Sequence, residues 1–222
     1  MATGREAGKA RGVGRSESQE TCPRAIQHSR SSWEDAGGVA TSHLVLGGAR
    51  SGKSRFALSG VRAGARVAFV ATAEARDADM RARIARHRAE RPASWTTIEE
   101  PLALADAVGR AMAGPVDAVI VDCVTVWVAN RMLQRDADPA ILTQADAIAA
   151  LAAHPMCDLT LVSNEVGAGV HPATADGLRF RDLLGLVNQR LAAAAHRVTL
   201  MIAGLPLTLR AESRHEPAVQ AP

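Results

Sequence analysis

The chain is predicted to fold as an α/β domain in which a mostly parallel sheet is covered by helices on both faces. Two observations carry that expectation. Short apolar runs of strand type alternate with longer Ala-rich stretches whose apolar residues recur at spacings of three and four. The first of these runs leads straight into Gly47-Gly48-Ala49-Arg50-Ser51-Gly52-Lys53-Ser54, a complete G-x-x-x-x-G-K-[ST] sequence, which belongs between a strand and a helix.

Taken in order, strands are expected over residues 43–46, 67–71, 118–121, 159–162 and 198–203, and helices over 53–61, 78–90, 102–112, 139–152 and 175–194. Beyond Gly204, the piece 205–209 turns back as an antiparallel edge strand, the one sheet position where Pro206 is tolerated. Residues 1–41 are rich in Gly, Ser, Arg, Glu and Ala without an apolar period and read as a disordered leader, either an extension or a start assigned too early. The piece 211–222, with two prolines and mixed charge, reads as a disordered tail, which leaves 42–210 as one P-loop domain of RecA-like type.

Composition narrows the function. The 222 residues, 47% of them hydrophobic, suffice for one full core. Twenty-six basic residues face 23 acidic ones along the whole length, and aromatics are 3% with no tyrosine, so neither a basic face nor a stacking platform for nucleic acid is present. No apolar run approaches the roughly 18 residues of a membrane helix, and the leader has no signal-type apolar segment. Cys22, Cys123 and Cys157 form no CxxC pair and suit a reducing cytoplasm, with Cys123 and Cys157 read as buried thiols.

In the Gly47–Ser54 loop, glycines let backbone N–H groups turn inward on a polyphosphate, Lys53 meets the outer phosphates and Ser54 offers a hydroxyl to Mg2+. The run 118–121 ends in Asp122, where a P-loop fold places a magnesium carboxylate; a strand-end acid that merely caps a turn is the plainer alternative. One helix sets His87 among five arginines, and Met80, Ile84, His87 and Arg91 share a stripe. From spacing alone His87 reads as a solvated surface residue. Ser163-Asn164-Glu165-Val166-Gly167 stands at a strand's C-terminal end, where open α/β sheets bind ligands, while helix surface accounts for most of Arg179–Asp182 and Asn188–Arg190.

In register from about His43 to Arg210, these segments resemble the bifunctional adenosylcobinamide kinase and adenosylcobinamide-phosphate guanylyltransferase family of cobalamin biosynthesis. The marks are the phosphate loop with Arg55, Ala71-Thr72-Ala73, Arg83-Ile84 with His87, Arg91-Pro92 with Trp95 and Glu99, Asp122 to Thr125 with Trp127-Val128 and Asn130, Ser163 to Gly167, Arg179 to Asp182, and Asn188-Gln189-Arg190. Leu58, where the family often has glutamate, and His171, usually apolar there, depart from the pattern.

The resemblance implies that His87 is a nucleophile that becomes guanylylated, with Lys53 as its catalytic counterpart in the kinase step. It implies nucleotide contacts from Ala71, Thr72 and Ala73, from Arg88, Ala89, Glu90 and Arg91, from Glu99 and from Asp122, and Mg2+ at Ser54 and Asp122. ATP and GTP would be substrates, adenosylcobinamide and its phosphate the acceptors, and the assembly a homotrimer. Three other readings compete: a P-loop small-molecule kinase needing no His87, a GTP-binding switch, for which the Asn-Lys-x-Asp guanine motif is missing, and a RecA-like ATPase on nucleic acid.

Overall fold

The computed structural model of the protein describes residues 39–75, 78–89 and 91–211, so most of the expected leader, Glu90 and the tail from 212 lie outside the described residues. Strand β1 (Ser42–Gly47) is buried at every position but His43, because it pairs in parallel with β5 (Asp158–Asn164) on one side and β6 (Arg197–Ile202) on the other. A strand covered on both faces needs an almost unbroken apolar run, which Leu44-Val45-Leu46 supplies. With β2 (Val67–Ala71), β3 (Thr96–Glu99), β4 (Ala118–Asp122) and β7 (Leu205–Arg210) the sheet has seven strands in the order β3-β2-β4-β5-β1-β6-β7. All neighbours are parallel except β6 and β7.

The order of strands fixes the layers. From β1 the chain steps toward one edge through β2 to β3, then reverses through β4 and β5. Right-handed crossovers put helices from opposite directions of travel on opposite faces. Thus α1 (Lys53–Ser59) lies on one face, where Leu58 and Val61 pack on Val67, Phe69, Ala118 and Ile120, and Arg91, just past α2 (Ala78–Ala89), stacks on Phe69 of that face. The other face carries α3 (Leu104–Met112), α4 (Val124–Leu133), α5 (Asp138–Ala153) and α6 (Ala175–Ala194), packed on Leu44, Leu46, Val70, Val119, Val121, Leu159 and Leu161. Trp127 of α4 is fully buried there and its indole N–H donates to the Leu102 carbonyl at 2.8 Å, so its one polar atom is satisfied.

The expected strands and helices are all present, and the C-terminal strand is the antiparallel edge foreseen for it. Two elements were not expected. β3 reads Thr-Thr-Ile-Glu, four residues with both end positions exposed, and has no apolar alternation to announce an edge strand. α4 begins Val-Thr-Val-Trp-Val, whose β-branched residues favour strands, yet its buried positions Val124, Thr125, Trp127 and Val128 follow helical spacing. α3 starts two residues later than expected because Glu100 accepts the Leu102 and Ala103 N–H groups at 2.9 and 2.8 Å, holding the chain outside the helix. Thr41, assigned to the leader by sequence, is tied into the sheet end: its N–H donates to Asp158 at 3.0 Å and its carbonyl accepts from Leu159 at 2.9 Å.

Candidate active site

The phosphate loop leaves the C-terminal end of β1 through a backbone that only glycine permits at two points. A Cβ on Gly47 would stand 2.4 Å from Ser51 Oγ and 2.8 Å from the Met201 carbonyl, and Gly52 takes a left-handed φ of 91°. Arg50 is left-handed as well, at 55°. The β6–β7 turn, with φ of 50° at Ala203 and 83° at Gly204, clasps the loop from the side: Gly204 N–H donates to the Ser51 carbonyl at 3.1 Å. Lys53 Nζ folds back to the Gly48 carbonyl at 3.0 Å, while Ser51 Oγ is buried and meets no hydrogen-bond partner among the described residues. A buried hydroxyl without a protein partner fits a loop that binds an anion.

A second concavity opens on the same sheet edge over β2, β3 and β4. Its walls bring together Ala71, Ala73, His87, Arg88, Arg91, Glu99 and Asp122, with Phe69, Ile84, Thr97, Cys123 and Val126, around about 700 Å³ of space, mouth included. Strand pleating decides which residues face it. Phe69 and Ala71 lie on the α1 face with Ala118, Ile120 and therefore Asp122, whose register partner is Ala71. Thr72 points elsewhere and is fully buried: its hydroxyl donates to the Cys123 carbonyl at 2.7 Å and accepts the Cys123 N–H at 3.0 Å, joining the ends of β2 and β4. Asn130 completes the joint by donating to the Thr72 carbonyl at 2.8 Å.

His87 is half-buried in the wall of this cleft, not on a wet face as its spacing suggested. The side chains of Met80 and Arg83 lie outside the described residues, so the stripe is seen from Ile84 onward. Arg91 secures the end of α2: its Nε donates to the His87 carbonyl at 3.1 Å, its Nη1 to Thr97 at 3.2 Å, and its guanidinium sits 3.9 Å above the Phe69 ring. Burial, and next the charge of Arg88, push the Arg91 pKa down, while Asp122 and Glu99 act in the opposite sense. Cys123, expected as a buried thiol, is half-buried and lines the cleft. Its pKa is raised to about 11, by desolvation first and then by the Asp122 charge, with Lys53 pulling the other way. It therefore stands within electrostatic reach of both the phosphate loop and the strand-end acid.

Seven of the residues expected at the site meet in this cleft. The loop residues Gly47 to Ser54 form a separate cradle at the end of β1, and β5 runs between that strand and β4. Ala89 is exposed and outside the cleft lining. Sequence reasoning named Thr125 and Asn188 only as marks of the resemblance and gave them no role in the site, yet they are buried at 7% and 5% exposure and hydrogen-bonded to the end of β5. Asn188 sits in a polar triplet on a helix and reads as surface; only its position level with Val187 and Leu191 on the buried side could have signalled it.

Comparison with known proteins matches the same stretch of chain that builds the cradle and the cleft. The profile described as cobinamide kinase / cobinamide phosphate guanyltransferase covers residues 43–209, all of the sheet but the outermost residues of β1 and β7. The chain belongs to that family. It is 44% identical over 171 residues to the bifunctional adenosylcobalamin biosynthesis protein CobP of Pseudomonas aeruginosa, covering 76% of this chain and 97% of that one. It is 37% identical over 179 residues to the bifunctional adenosylcobalamin biosynthesis protein CobU of Escherichia coli, covering 75% of this chain and 98% of that one. Among solved structures it is similar to a prototypical ATPase from the type III secretion system of pathogenic bacteria, at 12% identity and a TM-score of 0.48 over 77% of this chain and 57% of that one. As a member of the cobinamide kinase / guanyltransferase family the chain is an enzyme with a nucleotide-binding P-loop, and no described helix is long and apolar enough to cross a membrane.

Proposed function

We propose that this chain phosphorylates adenosylcobinamide with a nucleoside triphosphate and then carries GMP on His87 to the resulting phosphate, giving adenosylcobinamide-GDP. The observation that supports it best is the placing of His87 with Arg88, Arg91, Glu99 and Asp122 in one cleft beside the phosphate loop. In the kinase step the loop amides and Lys53 hold the triphosphate. The hydroxyl of the acceptor attacks the γ-phosphorus, and the bond to the β–γ bridging oxygen breaks. There is little covalent work for the protein, so holding and neutralising charge carry the catalysis.

In the transferase step an imidazole nitrogen of His87 attacks the α-phosphorus of GTP, a P–N bond forms and pyrophosphate leaves. A phosphate oxygen of the acceptor then attacks the same phosphorus and the P–N bond breaks, returning the free imidazole. Two easier displacements replace one between two anions. Arg88 and Arg91 offer cationic partners to the phosphates on the way, with Arg91 already held rigid by Thr97 and Phe69.

The donor set for a metal is one hydroxyl, Ser54 in the first turn of α1, and one carboxylate, Asp122, on the same face of the sheet. A hydroxyl and a single carboxylate fit Mg2+, an ion that keeps water and phosphate oxygens as its remaining partners. When bound it would neutralise phosphate charge. Both ATP and GTP serve as substrates in this reading, the enzyme works as a homotrimer, and its place is the cytoplasm.

Incubation with α-labelled GTP tests the covalent step. The native protein should take up acid-labile, base-stable label, and His87→Ala should take up none while still phosphorylating cobinamide in part. Label persisting on the alanine variant would remove His87 from the chemistry. A native protein that phosphorylates cobinamide and never becomes labelled would be a plain small-molecule kinase.

A further inference from the structure

Strand β5 lies between the phosphate-loop strand and the Asp122 strand, so whatever projects from its C-terminal end stands between the two groups that handle phosphate. That residue is Asn164. It is in register with Gly47 of β1 and comes two positions after Val162, the partner of Asp122. Alternation gives its direction. Leu161 is buried among the α3 to α6 helices and Ser163 bonds to Thr125 of α4 and Asn188 of α6, so Asn164 projects from the opposite face, which carries α1, Lys53 and Asp122.

The peptide of Asn164 is locked by a closed ring of buried side chains. Its N–H donates to Thr125 Oγ1 at 2.6 Å and its carbonyl accepts from Asn188 Nδ2 at 2.9 Å. Ser163 Oγ donates to Asn188 Oδ1 at 2.7 Å, so the Thr125 hydroxyl closes the ring by donating to Ser163 Oγ at 3.3 Å. The next N–H, of Glu165, donates to the Gly47 carbonyl at 3.1 Å and ties the ring to the phosphate loop. Thr125, Ser163 and Asn188 are 7%, 0% and 5% exposed, so losing any one leaves a buried partner unpaired. The Asn164 carboxamide itself is half-exposed and makes no hydrogen bond to a described residue. A solvated surface asparagine needs no such ring behind it; a group held ready for a ligand does.

We propose that Asn164 is a catalytic residue of the phosphoryl-transfer step, its Nδ2–H donating to a γ-phosphate oxygen of the triphosphate on the loop, and that Thr125, Ser163 and Asn188 are the positioning residues that aim it. This rests on the reading that the loop seats the kinase-step triphosphate. The acceptor hydroxyl oxygen forms the new O–P bond, the electron pair of the broken bond stays on the nucleoside diphosphate, and the hydroxyl proton passes to water. Asn164 gains and loses no proton: it serves as a fixed dipole that meets charge on the moving group.

The experiment compares Asn164→Ala, Thr125→Val, Thr125→Ser and Lys53→Ala for cobinamide phosphorylation, for affinity toward ADP and a non-hydrolysable ATP analogue, and for thermal midpoint. Asn164→Ala should lower kcat by roughly 10- to 100-fold and shrink the preference for the analogue over ADP, with ADP affinity and midpoint unchanged. Thr125→Val should show the same loss of preference although it touches no nucleotide, and Thr125→Ser should restore it. Near-native kcat in Asn164→Ala beside a crippled Lys53→Ala overturns the proposal and leaves the loop reading intact. Parallel loss of ADP affinity, analogue affinity and midpoint also overturns it, since that marks a structural role. A Lys53→Ala enzyme that turns over normally removes the loop reading and this proposal together.

Discussion

The phosphate loop and the helix that bears His87 hold their reactive groups by different means. Backbone geometry holds the loop: left-handed Arg50 and Gly52, a Gly47 with no room for a side chain, and the Gly204 N–H clasping Ser51 from the next hairpin. α2 has none of this. Arg81, Ala82, Ala85, Arg86, Arg88 and Ala89 are exposed, Ile84 and His87 only half-buried, and the helix end hangs on the side chain of Arg91. A segment whose described side chains bury so little surface opens locally at low cost, so on the proposed function the loop would be a preformed site and α2 one that its ligand helps to order.

The largest effect that bears on this contrast is at the loop. Lys53→Ala deletes the charge aimed at the outer phosphates and should lower the kinase rate by about 10²-fold or more, with little change in α2. Phosphorylation assays with amide exchange on the same variant would check it. A near-native rate would mean that the loop is shape without function.

Acid should strike the loop side next. His43 lies beneath α1, edge-on to Phe56 at 5.9 Å and bonded to Thr199 at 2.8 Å, and its pKa falls to about 4, from burial first and then the Arg197 charge. Its folded value lies below the unfolded 6.5, so the unfolded chain binds the proton more readily. Stability from this group is complete above about pH 6.5 and is lost as pH drops toward 4, at most about 3 kcal/mol. Denaturant titrations from pH 7 to pH 4 should show that slope in the native chain and a flatter one in His43→Gln. An unchanged slope would place the acid sensitivity elsewhere. Asp117, whose carboxyl the Arg66 hydrogen bonds hold below the usual range, contributes only at still lower pH.

Arg91 tests the other half of the comparison. Arg91→Ala removes two hydrogen bonds and a stacked guanidinium, and should slow GMP loading of His87 by about tenfold while α2 amides exchange faster. Lysine cannot span the His87 carbonyl, Thr97 and the Phe69 face at once, so Arg91→Lys should not rescue. Unaltered exchange in both variants would show that α2 is held by something other than Arg91.

The same contrast explains what the sequence made legible. Glycine spacing is a direct imprint of backbone geometry, so Gly47 to Ser54 could be placed and assigned chemistry without a structure. Strand ends such as Asp122 followed from apolar runs. His87 could not be separated from a wet arginine-rich face by its own periodicity, because the residues that make its cleft, Phe69, Thr97 and Val126, come from three other elements; only resemblance singled it out. α4 was hidden by β-branched residues whose helical conformation is imposed by packing, and Asn188 by a partner 24 residues earlier in the chain, Asn164.

The smallest expected effect concerns the N-terminal stretch, up to and including the first described residues. Removing residues 1–38 should leave kinase rate, GMP loading and thermal midpoint unchanged, because that stretch offers too little apolar surface to offset the entropy of ordering it. Cutting three residues further should differ. Thr41 donates from both its N–H and its hydroxyl to Asp158, at 3.0 and 3.3 Å, and accepts from Leu159, so its loss unpairs the start of β5 at the end of the sheet away from the site. Hydrogen bonds at an exposed strand end contribute about 0.5–1.5 kcal/mol each, and a total near 1 kcal/mol moves the midpoint of a domain this size by roughly 2–4 °C. Calorimetry on the two truncations should therefore show a step in midpoint between residues 38 and 41 with no step in kcat. Activity lost already on removing residues 1–38 would mean that the leader reaches the phosphate loop or α2, and that the two are not the whole of the site.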